Sequence, residues 1–474
     1  MAPPMNQITL FLLTAGSLVL TPATAAEGLD DLFDLDAPLD GAVEAVPAAV
    51  SPPEDETEVP DPALDDAFRL DVAEGEPASG HKGGPRLSGY GEISAAHTTP
   101  DPEHWSKLRA RLELAATGNL GSGVKYKVTG RADLDGAFDL EDDFYPGAVR
   151  RDQRREFMWR ETYLDFGSGD LEFRLGRQHV VWGEVVGLFV ADVVSARDMR
   201  EFLLPEFESM RIPQWAARAE YFAGETHFEA LWIPYPSHDD IGKPGADFYP
   251  FPIPGNTPIH TVERDTELSN TNWGLRVSHL VAGWDLSAFY YQSLDASPTL
   301  YRLPTGLELR NDRINQVGGT FSKDYDTFVL KGEAVHTRGR RFLTSEPSAP
   351  FGLDASNTLD YVIGADLPHD DWRFNAQYYG RYTFDHSDGM TVDQDEHGLT
   401  FLVNRKFGGS LEAELLYVTS LNRTDYMLRP KLVWNMTQEW RAQFGVDVFG
   451  GPDDGLFGRF DDSDRVYVEV RRWF

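Results

Sequence analysis

Between Val124 and Leu134 every charged side chain falls on one parity. Lys125, Lys127, Arg131 and Asp133 alternate with Val124, Tyr126, Val128, Gly130, Ala132 and Leu134. A period of two with one charged face marks a β-strand that meets water on one side and apolar surroundings on the other. The preceding run repeats the pattern, with Leu108, Ala110, Leu112, Leu114 and Ala116 opposite Arg109, Arg111 and Glu113, and the turn 118–123 joins the two. The alternation predicts eighteen strands, near 87–97, 106–118, 122–134, 157–167, 170–178, 214–222, 225–233, 271–281, 283–293, 313–323, 326–337, 357–367, 371–382, 397–407, 410–419, 424–434, 438–448 and 464–474. Sixteen is equally consistent if two weak strands, such as 170–178 and its neighbour, lie elsewhere.

The connections alternate in length. Short turns fall near 118–123, 167–170, 223–224, 282, 324–325, 368–370, 408–409 and 437, with longer loops between them, notably 135–156, 179–213, 234–270, 294–312, 338–356, 383–396 and 449–463. Outer-membrane barrels have short periplasmic turns and longer outer loops. The expected fold is therefore all-β, a transmembrane antiparallel barrel over 86–474 with both ends in the periplasm. Tryptophans at strand ends, among them Trp105, Trp159, Trp232, Trp273, Trp284, Trp372, Trp434 and Trp440, fit the aromatic girdles of such a barrel and imply outer-membrane lipid as its surroundings.

A net charge of −34 does not oppose this, because each strand shows only alternate residues to lipid. After the first 25 residues no window approaches the roughly 18 to 20 apolar residues of a spanning helix, which excludes a helical bundle. The negative charge argues against nucleic acid as a partner. The absence of cysteine excludes disulfides, thiolate metal sites and cysteine nucleophiles.

Residues 1–25 read as a signal peptide, with an apolar core from Ile8 to Leu20 and small residues Ala23 to Ala26 at the cleavage site; no Lys or Arg precedes the core. Residues 26–85 read as a disordered, acidic, proline-rich periplasmic arm, with 17 acidic residues and one basic between Glu27 and Glu76. Within it, Leu29, Leu32, Phe33 and Leu35 among aspartates suit either a short helix docking on a periplasmic partner or a solvated tail.

The last strand carries Val466, Val468, Val470 and Phe474 on one face and Tyr467, Glu469 and Arg471 on the other. It resembles the C-terminal strand by which the barrel-assembly machinery recognises and inserts outer-membrane barrels, with Arg472 where an aromatic is usual.

A ring of this size leaves an aqueous lumen unless loops fill it, so the expected function is passage. The segment 170–213, which includes the run Leu175-Gly176-Arg177-Gln178, is unusually apolar for an outer loop, and it is expected to fold inward as a constriction. Its charges, Arg177, Glu184, Asp192, Arg197, Asp198, Arg200 and Arg211, suit either opposed charged walls that orient a solute or pairs that hold the loop against the wall. The loop 234–270, with seven prolines and Phe248, Tyr249 and Phe251, suits a stiff cap over the mouth or a rigid surface loop. No catalytic set, cofactor or metal site is expected; the acidic loops 133–143 and 453–464 lack EF-hand spacing.

The run Leu175 to Asp198, followed by Phe202-Leu203-Leu204-Pro205-Glu206 and Ile241 to Phe248, resembles a family of uncharacterised proteobacterial outer-membrane proteins often encoded beside resistance-nodulation-division exporters. The step Gly176-Arg177-Gln178 extends a weaker similarity to alginate-export barrels and related porins. The resemblance implies an outer-membrane barrel and transport, with an inner-membrane exporter as partner, and carries over no functional residue. The expected function is a porin-like channel passing or exporting a polar or amphipathic solute. The alternatives are a barrel enzyme acting on lipid or peptide, and an assembly protein binding a periplasmic partner through its acidic arm.

Overall fold

A computed structural model describes residues 84–474 apart from 122, 142, 184, 186, 252, 254–256 and 263–266. The expected signal peptide 1–25 and nearly all of the arm 26–85 lie outside the described residues. Eighteen strands form the wall: β1 (Arg86–Thr98), β2 (Trp105–Asn119), β3 (Lys125–Asp135), β4 (Arg155–Ser168), β5 (Leu171–Gln178), β6 (Gln214–Ala223), β7 (Thr226–Tyr235), β8 (Asn272–Val281) and β9 (Trp284–Leu294). The second half comprises β10 (Arg313–Asp324), β11 (Val329–Leu343), β12 (Leu353–His369), β13 (Trp372–Thr383), β14 (Asp395–Phe407), β15 (Leu411–Ser420), β16 (Tyr426–Asn435), β17 (Trp440–Gly450) and β18 (Arg465–Trp473).

Each strand pairs antiparallel with the next, as in Gly89↔Leu114 between β1 and β2. The ring closes where β18 pairs with β1, from Tyr90↔Trp473 to Thr98↔Arg465. Phe474 extends this seam, its amide and carbonyl bonding the Gly89 carbonyl and amide at 3.0 Å each. Closure leaves no unpaired edge, which is what a strand-built structure needs in a bilayer. The segment 170–178 is a wall strand, so the count is eighteen rather than sixteen.

The parity expected from the sequence holds in three dimensions. Leu112, Leu114 and Leu134 point outward and are 44–61% exposed, whereas Arg111, Arg131 and Asp133 face the lumen and are buried. On β18, Val466 and Val468 are exposed on the outer face while Arg471 turns inward. Arg472 faces outward at the periplasmic rim, pairs with Glu439 at 3.4 Å and lies 5.4 Å from the centre of the Trp440 ring. Outward apolar residues around a closed ring make this an outer-membrane barrel. Gly176, in the Gly-Arg-Gln step, has φ 134°, and a side chain there would meet the Thr162 carbonyl oxygen at 2.3 Å, so β4 and β5 approach more closely than any other residue allows.

The principal apolar core lies inside the barrel. It is built from 179–213, with Trp182, Phe189, Phe202, Phe207 and Met210 almost completely buried. Phe248 and Phe251 of the next loop join it, and Phe248 packs against Phe449 and Phe460 at 5.9 and 5.6 Å. The outer connection after β9 contains a small hairpin, Thr299–Leu303 with Gly306–Arg310, which pairs with Ile259–Thr261. This hairpin was not expected, because its strands are short and lie in a stretch read as one loop.

A charged constriction built by an inward loop

The inward loop is fastened to strands all around the lumen. Trp182 donates its indole N–H to Glu229 on β7 at 3.0 Å and packs against Phe289 and Tyr291 on β9. Glu333 on β11 accepts the backbone amides of Val185 and Ala191 at 2.9 and 2.7 Å. Arg160 on β4 donates to the Glu208 and Arg211 carbonyls, and Arg429 on β16 to those of Leu203 and Leu204, all within 3.2 Å. Inward-facing side chains thus satisfy loop backbone whose own regular structure is confined to a two-residue ladder, Ala196–Arg197 with Arg211–Ile212, and one helical turn, Phe207–Met210.

The residues singled out from the sequence divide into separate groups. Asp192, Arg197 and Arg211 form a buried knot: Arg211 pairs with the Asp192 carboxylate at 3.0 Å and Arg197 donates to its carbonyl at 2.8 Å. The Arg197 guanidinium lies 4.1 Å from the Phe189 ring centre and that of Arg211 3.8 Å from Phe207. A second group joins Asp198 and Arg200 at 2.6 Å, with Glu156 on β4 at 2.5 Å and Asp240 at 3.5 Å. Burial opposes ionisation of Asp198, but the Arg200 charge prevails and holds its carboxyl down at about 2. Arg177 joins neither group; it lies in register with Thr162 on β4 and Trp215 on β6, on the parity of the outward Leu175. Glu184 lies outside the described residues.

Two glutamates not singled out from the sequence line open spaces in the lumen. Glu201 meets Lys107, Arg109 (2.9 Å) and Arg465 (3.1 Å), and Glu206 meets Arg441 (2.9 Å) and Arg471 (3.1 Å). Burial works against both charges, yet the surrounding cations hold both carboxyls well below the ordinary range. The inward parity of β2, β17 and β18 had marked the cations as luminal, but their partners lie from 92 to more than 260 positions away in sequence.

Beside this arm lies an open space of about 790 Å³ between Leu204–Ser209 and the inner faces of β1, β2 and β15 to β18. A second space of about 580 Å³ shares Lys107, Arg109, Arg111, Pro205 and Ser209 with it. A third, of about 500 Å³, lies across the loop against β9 to β13, with Arg340, Asp360 and Arg381 in its lining. The loop therefore divides the lumen.

A model of a protein family of unknown function, DUF1302, matches residues 106–474. The chain belongs to this family. Among solved structures, the DUF1302 barrel is similar to OccAB1 of Acinetobacter baumannii, at 8% identity and a TM-score of 0.54, over 82% of this chain and 96% of that one. It is also similar to OccAB2 of the same organism, at 11% identity and a TM-score of 0.52, over 82% and 98%. These likenesses are in fold. No curated protein matches the DUF1302 chain by sequence.

At the outer end of the DUF1302 barrel three connections meet at His104. Its Nε2 lies 3.1 Å from Asp247, its Nδ1 is 3.0 Å from the Thr98 hydroxyl, and its ring stacks on Phe144 at 3.9 Å. Tyr145 donates to the other Asp247 oxygen at 2.8 Å. Thr98 is fully buried and accepts the His104 amide at 2.8 Å, so its hydroxyl shapes the turn.

Proposed function

We propose that the protein is a passive channel for small polar solutes in the outer membrane, with 179–213 as its constriction and a preference for anions. The observation that carries this reading is the 790 Å³ space beside the inward loop, whose lining among the described residues holds seven Lys or Arg and five Asp or Glu. A ring of fixed charge at a narrowing biases which ions and solutes enter. Resemblance to barrels encoded beside exporters supports cooperation with an inner-membrane pump.

Single-channel recording of the full-length protein in planar bilayers, under a salt gradient, tests the proposal. The expected result is discrete conductance with a reversal potential on the anion side, and a larger conductance when Glu201→Gln and Glu206→Gln release the arm. Absence of conductance in both proteins overturns the channel reading, and a cation-side reversal potential overturns the preference.

A further inference from the structure

Among the described residues, Arg177 stands apart from the other charges considered for the lumen. It occupies the outer face near the end of β5, where the long loop begins, which is the outer rim of the barrel. Across the wall it belongs to an outward row, Thr162 on β4, Arg177 on β5, Trp215 on β6 and Tyr235 on β7. Trp215 and Tyr235 are 42% and 57% exposed, and Trp159 and Trp232, also exposed, flank the row. This concentration of aromatics places Arg177 at the level of the lipid headgroups.

Among the described residues no carboxylate pairs with Arg177. Its Nε and the neighbouring Thr162 hydroxyl are both buried without a hydrogen-bond partner, and the charged group acting on Arg177 is another cation, Arg160. Outward cations at the opposite rim are accommodated differently. Lys323, Arg405 and Arg472 lie 4.9, 4.7 and 5.4 Å from the ring centres of Trp284, Trp372 and Trp440, each its direct cross-strand partner. Arg177 has a tryptophan as cross-strand partner as well, yet takes no ring contact among the described residues.

A guanidinium facing lipid is costly unless an anion meets it, and its planar fork matches two phosphate oxygens. We infer that the guanidinium of Arg177, with Trp215 and Tyr235 alongside, binds the phosphorylated headgroup of the glycolipid of the outer leaflet. The site is independent of the passage through the lumen, because it opens on the other side of the wall.

The test is native mass spectrometry of the full-length barrel titrated with bis-phosphorylated lipid A, and with lipid A from which both phosphates have been removed. Wild-type protein is expected to retain the phosphorylated form, and Arg177→Gln to bind it about tenfold more weakly, the scale of one charge-assisted hydrogen bond. Arg177→Lys is expected to fall between them, and Arg405→Gln at the other rim to bind as wild type. Equal retention of both lipids by wild type overturns the inference, a comparison that holds even if the Arg177 variants do not fold. Undiminished binding by a folded Arg177→Gln also overturns it.

Discussion

Phe189 and Phe207 stack inside the lumen with ring centres 4.1 Å apart and planes 12° from parallel. Arg197 and Arg211 each lie over one of these rings, and Asp192 ties the two arginines together. Among the charges that suited either a solute filter or pairs holding the loop, these three are paired with one another inside the folded loop. Truncating Phe207→Ala is expected to cost about 3–5 kcal/mol of loop packing while the wall stays closed. Protease cleavage within 185–211 should rise, with the folded barrel still migrating as such on unheated gels.

Glu333 accepts two loop amides from a single wall position. Glu333→Gln keeps the shape but leaves one acceptor oxygen for two amides, so one charge-assisted bond is lost and the other weakened, at a cost of about 1–3 kcal/mol. Hydrogen exchange of the Val185 and Ala191 amides is expected to accelerate by ten- to a hundredfold, with strand amides unchanged.

The glutamates of the inner arm are held ionised by their cationic partners. A carboxyl depressed in the folded protein contributes stability above its unfolded pKa, and that contribution is lost only as pH falls through the folded value. Glu201 and Glu206 both lie well below the ordinary range, so channel current should not change through these groups between pH 8 and pH 5. Recording across that interval checks this, and Glu206→Gln should reproduce at pH 7 whatever opening appears in strong acid.

His104 behaves in the opposite sense. Burial pulls its pKa down, but the Asp247 carboxylate, the Pro102 carbonyl and Glu141 together raise it above the ordinary 6.5. A raised histidine contributes fully below its unfolded pKa, and the contribution is lost as pH rises through the folded value. Proteolysis of 136–154 and 236–251 is therefore expected to be slower at pH 6 than at pH 8.5. The groups that face the ring are Asp247, Glu141 and Tyr145, and His104→Gln should flatten the difference.

Gly176→Ala is expected to prevent the close pairing of β4 and β5, since the added carbon would lie 2.3 Å from the Thr162 carbonyl oxygen. Loss of heat-modifiable gel mobility after refolding is the readout.

Strands were legible because period-two alternation is a local property; even β5, eight residues long, follows it. The same alternation carried a signal about Arg177, which shares odd parity with Leu171 and Leu175 and so belongs outside. Reading the Gly-Arg-Gln step as part of the loop obscured that parity. The inward course of 179–213 was legible from its apolar content, because Val, Leu and Phe in such density need a core. Its partners were not legible: Glu206 meets Arg471 across 265 positions, and alternation says which way a side chain points, not what it meets.

The seam between β1 and β18 sets an order of events. β1 is made first and must wait with one edge unpaired until the final strand arrives, some 380 residues later. An exposed edge is adhesive, and a contact of such long range forms slowly. The barrel is thus most vulnerable to stray association during its own biogenesis, and a chaperone that shields that first edge would matter more to its yield than any single interaction in the finished molecule.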